Sequence, residues 1–210
     1  MLPRLTMASV LAGGVAFLSG MVLLGLEIVA SRLLAPWFGS SVYVWGSLIS
    51  VFLLALSIGY AVGGVVADKA PSYRGLAGVL MAASLLVLAL PFVSFPVCEW
   101  IAARDLDSRA AVLLASAIFF LTPSILMGMV SPYVIRLSAS RIESVGRTAG
   151  SIYSVSTVGS ITGALAVSFY LIPVMGTHAI LTLSAGLLLL ASALCAVGGR
   201  VASGRRGEQR

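Results

Sequence analysis

Apolar residues fill six long stretches of the chain, roughly residues 7–34, 42–66, 76–95, 110–135, 148–172 and 177–197. Each stretch reaches the ~20 residues that an α-helix needs to cross the hydrocarbon core of a bilayer. Runs of this length exceed a buried strand, so the pattern predicts an all-α fold, a polytopic membrane bundle of six transmembrane helices. Residues 98–109, between the third and fourth stretches, carry Glu99, Arg104, Asp105 and Asp107 and are predicted to form a short interfacial helix or loop. The other connections are brief. Residues 1–200 therefore read as one six-helix transmembrane domain and residues 201–210 as a basic cytoplasmic tail.

Composition agrees: 60% of residues are hydrophobic, 10% are charged and the mean hydropathy is +1.10. A soluble domain carries about 25% charged residues. The formal charge is +6, but the basic residues stand singly between apolar stretches. Nucleic acid is not the expected partner, because binding it needs basic residues gathered on one face. Their placement predicts orientation instead. With the N-terminus in the cytoplasm, Arg4, Lys69, Arg74, Arg136, Arg141, Arg147, Arg200, Arg205, Arg206 and Arg210 fall inside, and Arg32, Arg104 and Arg109 outside. This is the excess of basic residues that cytoplasmic loops carry, and Trp37, Trp45 and Trp100 then form an outer aromatic belt. Both termini are expected in the cytoplasm, with the inner membrane of a prokaryote as the bilayer. The first stretch outruns the ~7–15 apolar residues of a signal-peptide core and has no clear cleavage site before Glu27, so it is expected to be retained. Cys98 and Cys195 fall near opposite faces, too far apart for a disulfide.

The stretches differ in polarity. The third and sixth, without charge and rich in Leu, Ala and Val, are expected to be peripheral and to face lipid. The second and fifth carry Gly-x-x-x-Gly pairs, Gly59 with Gly63 and Gly159 with Gly163, whose flat strips let another helix approach closely. Gly46, Gly59 and Gly63 recur 100 residues later as Gly146, Gly159 and Gly163. That spacing suggests inverted three-plus-three repeats, a transporter architecture with sites near the midplane. Chance matching among 22 glycines is the alternative.

Glu27 is the most unusual residue. A carboxylate deep in a bilayer costs at least ~2.5–3.5 kcal/mol on insertion scales, so it faces a bundle interior or wet cavity and has a partner. It reads either as a cation or proton site or as half of a structural ion pair. Arg32, five residues on, lies about 140° around the helix, which makes a direct bridge awkward. In the fourth stretch Pro123 and Pro132, beside Thr122, Ser124 and Ser131, interrupt the helical hydrogen bonds. Such a broken helix can coordinate a cation, or be a kink satisfied by neighbouring hydroxyls. Met127 and Met129 read as packing. Tyr43, Tyr60, Tyr133 and Tyr153 offer aromatic faces that suit an organic cation, or serve as ordinary packing. The candidate substrate or proton site is thus Glu27, Arg32, Tyr43, Tyr60, Ser124 and Tyr153.

The segment Gly64-Val65-Val66-Ala67-Asp68-Lys69 resembles the loop motif between the second and third helices of major facilitator transporters. The resemblance implies that Asp68 caps or pairs with a neighbouring helix end, that Gly64 permits close approach, and that Gly64, Asp68, Lys69 and Arg74 favour one conformational state. Ala70-Pro71-Ser72-Tyr73 displaces the basic end of the motif. Longer strings are similar to the membrane half of the fused major facilitator and spermidine-synthase-like proteins. They are Leu26-Glu27-Ile28-Val29-Ala30-Ser31-Arg32-Leu33-Leu34-Ala35-Pro36-Trp37-Phe38-Gly39-Ser40-Ser41, Val44-Trp45-Gly46, Gly146-Arg147-Thr148-Ala149-Gly150 and Gly159-Ser160-Ile161-Thr162-Gly163-Ala164. Over about residues 20–176, this implies a half-major-facilitator-like bundle and a polyamine or similar cargo. In that family a soluble domain with the aminopropyltransferase or methyltransferase fold usually follows. Here ten residues follow Arg200 and no Gly-rich nucleotide loop succeeds a strand, so that domain and its adenosyl cofactor are expected to be absent.

There is no Cys/His cluster for a metal, and the lone His178 reads as a solvated loop residue. Ser, His and Asp fall on different sides of the predicted bilayer, which rules out a nucleophilic triad. The chain is expected not to be an enzyme and to need no cofactor. One reading is a half-size transporter that forms a homodimer through the second and fifth spans, with a path lined by the first and fourth. The other is a non-transporting module that anchors or regulates a separately encoded spermidine-synthase-like enzyme. Arg205 and Arg206 suit such a partner or anionic lipid equally. Glu27 and the proline-interrupted fourth span favour transport.

Overall fold

The computed structural model describes residues 7–138 and 145–207, with side chains over 10–138 and 145–198. Arg4, Arg141 and Arg210, and the side chains of Arg200, Arg205 and Arg206, lie outside the described residues, and with them much of the basis for orientation; of the predicted tail, residues 201–207 continue the last helix. The described chain forms six helices: α1 (Met7–Phe38), α2 (Val42–Lys69), α3 (Tyr73–Ala102), α4 (Ser108–Ser138), α5 (Val145–Val174) and α6 (Thr177–Gly207). All six are long and apolar enough to cross a membrane. Among the described residues there is no strand. Six apolar helices fit an integral membrane protein in a lipid bilayer.

Each helix stops where local chemistry lets it. α1 ends at Gly39, whose φ of 73° is open to glycine and whose N–H bonds back to the Ala35 carbonyl at 2.9 Å. Ser72 caps α3 by accepting from the Gly75 N–H at 2.9 Å, and Asp107 caps α4 by accepting from the Arg109 N–H at 3.0 Å. Residues 98–109 form no separate element. α3 continues through Pro91 and Pro96 because Cys98 and Ile101 are buried and hold its last turn, and only residues 103–107 connect it to α4.

Of the two readings of the prolines in α4, the structure shows a widened helix rather than a broken one. Pro123 has no N–H to donate, and the π-helical turn Ala117–Leu121 before it shifts the hydrogen-bond register. Further on, the Met129 N–H bonds to Ile125 and the Tyr133 N–H to Met129, at 3.1 and 3.2 Å, so the rod continues past Pro132. A second π-helical stretch, Ala166–Leu171, precedes Pro173 in α5.

α1 packs along α5 and α6, α2 along α4, and α3 along α6. The glycine strips lie inside these contacts. A Cβ at Gly159 or Gly163 would overlap the backbone of Phe17 or Met21 in α1, and one at Gly59 or Gly63 would overlap Ile125, Gly128 or Met129 in α4. Between α3 and α6, the Ser84 hydroxyl donates to the Ala185 carbonyl and the Ser192 hydroxyl to the Ala77 carbonyl, both at 2.8 Å and buried. This seam corrects the peripheral placement expected for α3 and α6. Of their most apolar windows 39% and 44% is buried, against 28% and 17% for α2 and α5. The reason is side-chain size: Ala77, Ala83 and Ser84 of α3 and Ser184, Ala185, Ala191 and Ser192 of α6 are buried, and such small residues let two backbones close.

Candidate functional site

Glu27 stands about two-thirds of the way along α1, about 17 Å from its end at Phe38, and is half-buried. It follows Gly20 by seven residues, which returns it to within about 20° of Gly20 around the helix. Gly20 lies against α5, where Ser156 touches it and the Ser160 hydroxyl donates to its carbonyl at 3.1 Å. Glu27 therefore sits on the flank of the α5 contact. Leu24 and Ser31 on the same stripe are also half-buried, and the Ser31 hydroxyl turns back to the Ile28 carbonyl at 2.8 Å. Among the described residues the Glu27 carboxylate has no hydrogen bond and no ion pair; their one ion pair joins Arg136 to Asp68.

The helices bordering this flank expose polar residues. Tyr60 of α2 and Tyr153 of α5 are exposed. α5 has the lowest mean hydropathy of the six spans, 1.6, and exposes Ser151, Ser154, Thr157 and Thr162. Three of these hydroxyls donate to carbonyls one turn back, those of Arg147, Tyr153 and Val158, at 2.8–3.0 Å.

Other candidates lie apart. Arg32 is exposed and lines a cleft with residues of α3 and α6, on a different side of α1 from Glu27. Tyr43 is covered by the Arg109 guanidinium, 4.7 Å from its ring centre, at the α3–α4 end of the bundle. Ser124 is fully buried after Pro123, and its hydroxyl and that of Ser116 have no partner among the described residues. The structure thus exposes Tyr60 and Tyr153 away from Glu27, because the pairing of Phe17 with Gly159 and Met21 with Gly163 sets Glu27 level with about residue 169, about 24 Å along α5 from Tyr153, and it leaves Arg32 and Tyr43 elsewhere.

At the opposite end, Arg136 Nε donates to Asp68 at 2.9 Å and the Tyr133 hydroxyl to the Ala70 carbonyl at 2.8 Å, so α4 fastens the α2–α3 loop. Lys69 and Arg74 are exposed. Gly64 permits no close approach, since a Cβ there meets nothing; the tight glycine is Gly63, one residue earlier and 100° round the helix. Cys98 and Cys195 are free and buried. Among the described residues no three His, Cys, Asp or Glu side chains gather as a metal site.

Sequence reasoning missed Gly20 and Gly128 as close-approach glycines, and missed the Ser84 and Ser192 bonds. Their signal was available as a recurrence, because Gly128 follows Gly20, and Ser192 follows Ser84, by the same 108 residues. Compared with protein-family models, curated proteins and solved structures, the chain matches none.

Proposed function

We propose that this chain is a half-size membrane transporter for a polyamine or other organic cation, working as a homodimer with Glu27 as the cation or proton site. The observation that carries this reading is the half-buried Glu27 carboxylate, unpaired among the described residues, beside the two least buried helices. An acid held at that depth without a partner is costly unless water, a proton or a cation reaches it. Tyr60 and Tyr153, exposed and remote from Glu27 along the bundle, offer aromatic faces that suit organic ammonium groups elsewhere on a path. The polyamine class itself rests on the resemblance of residues 26–41.

Paired contacts support inverted repeats. Ile125 and Met129 stand 108 residues after Phe17 and Met21, while Gly159 and Gly163 stand 100 after Gly59 and Gly63, so the α5–α1 and α2–α4 contacts use corresponding residues. The seam does likewise. Ser192 stands 108 after Ser84 and Ala185 stands 108 after Ala77, which makes the two hydrogen bonds images of one another. Self-complementary contacts of this kind are what a two-fold relation produces, here one relating three-helix units. Under it α1 and α4 correspond, and α2 and α5 border one face.

With both glycine strips covered from within the chain, a second copy would dock on the outer faces of α2 and α5. The exposed hydroxyls of α5 suit a shared aqueous path better than lipid. Uptake of labelled spermidine into proteoliposomes tests the proposal. Wild type should accumulate it and Glu27→Gln should fall at least about tenfold, or ~1.4 kcal/mol. Uptake unchanged by Glu27→Gln would remove the site, and absence of uptake would leave the anchoring of a separate enzyme as the better reading.

A further inference from the structure

A cleft of about 400 Å³ lies where the C-terminal parts of α1 and α3 meet the first turn of α6. Its walls include Arg32, Trp37, Ser94, Phe95, Thr177 and His178. Arg32 is exposed and has no ion pair among the described residues, and no carboxylate lines the cleft. The first turn of α6 contains no acid. Its Ala179 and Ile180 amides bond to the Gly176 carbonyl at 3.0 and 3.2 Å, which leaves the Thr177 and His178 amides at the positive end of the helix.

A second feature is independent of that helix end. Ser94 is only 5% exposed, its remaining exposure is toward the cleft, and its hydroxyl has no partner among the described residues. One fixed cation, free amides and hydroxyl donors converge with no acid to oppose them, and such a set receives an anion. The remaining wall is apolar. Trp37 meets Phe95 edge-on, ring centres 5.3 Å apart, and both belong to helix ends, where aromatic side chains sit at headgroup level.

We propose that this cleft binds the phosphodiester of an anionic membrane phospholipid, with Arg32, Ser94 and the first turn of α6 holding the phosphate and an acyl chain lying along Phe95. A zwitterionic amine headgroup finds no carboxylate there to receive it. The proposal does not rest on the transport reading.

Thermal melting of the delipidated full chain in detergent tests it, with phosphatidylglycerol, phosphatidylcholine or inorganic phosphate added. Phosphatidylglycerol should raise the midpoint by about 2 °C or more. The rise should vanish in Arg32→Gln, persist in Arg32→Lys, and persist in Arg109→Gln, which removes a cation from the same end of the bundle. Native mass spectrometry should find one phosphatidylglycerol retained by wild type and none by Ser94→Leu, a variant that fills the cleft and keeps the charge. An equal rise in Arg32→Gln, a loss shared with Arg109→Gln, a full rise from phosphate alone or phosphatidylcholine, or a lipid retained by Ser94→Leu would overturn the proposal.

Discussion

The seam between α3 and α6 and the outer face of α5 are built from similar residues, small or aliphatic with scattered hydroxyls, yet they end in opposite states. On the seam, Ser84 and Ser192 each donate to a carbonyl of the other helix, and Ala83, Ala185 and Ala191 are buried around them. On α5, Ser151, Thr157 and Thr162 bond only within their own helix and stay exposed. A hydroxyl bonded across helices helps to fix a finished interior; one folded back on its own helix is free to face water, lipid or another chain. Glu27 lies on the flank of α1 next to α5, further along that helix than these hydroxyls. The contrast locates the side of the molecule on which a polar path or a partner would be found.

The sharpest way to break this comparison is at the glycines. Gly63→Leu and Gly163→Leu force a side chain into the backbone of Met129 or Met21, and should give the largest loss of folded, monodisperse protein in size-exclusion chromatography. Overpacking by smaller additions already costs about 1–3 kcal/mol. Gly64→Ala and Gly78→Ala, where an added Cβ meets nothing, should melt close to wild type. Equal damage at all four positions would contradict the described packing.

A smaller effect sharpens the seam. Ser84→Ala and Ser192→Ala should each lower stability by about 0.6–1.7 kcal/mol, and by similar amounts, because their bonds correspond. Thr157→Ala, which removes only a bond within α5, should change thermal stability by less than about 0.5 kcal/mol. Smallest is the surface pair: Arg136→Gln should cost about 0.2–1 kcal/mol in chemical denaturation, and less as salt is raised.

Length and hydropathy were enough to read six spans, because a run of apolar residues long enough to cross a bilayer leaves few alternatives. Helix ends were harder. Residues 98–102 look polar enough to leave the bilayer, but buried Cys98 and Ile101 carry α3 through them. Burial of α3 and α6 was misread because hydropathy measures what a side chain tolerates, and a strip of Ala and Ser tolerates lipid and a neighbouring helix alike. Glu27 was legible from its charge alone. Arg32 was grouped with it as a candidate even though the sequence already set the two about 140° apart round the helix, and in the structure Arg32 faces a cleft with α3 and α6.

The central claim is that the Glu27 position opens onto water rather than lipid or a closed ionic lock. Its most direct test is the reaction of Glu27→Cys, in membrane vesicles, with a water-soluble, membrane-impermeant maleimide. Leu26→Cys serves as the buried reference and Leu190→Cys as an exposed apolar one, and the native Cys98 and Cys195 are buried. The account predicts that Glu27→Cys is labelled and both references are spared. Labelling of Glu27→Cys no faster than that of either reference would contradict it.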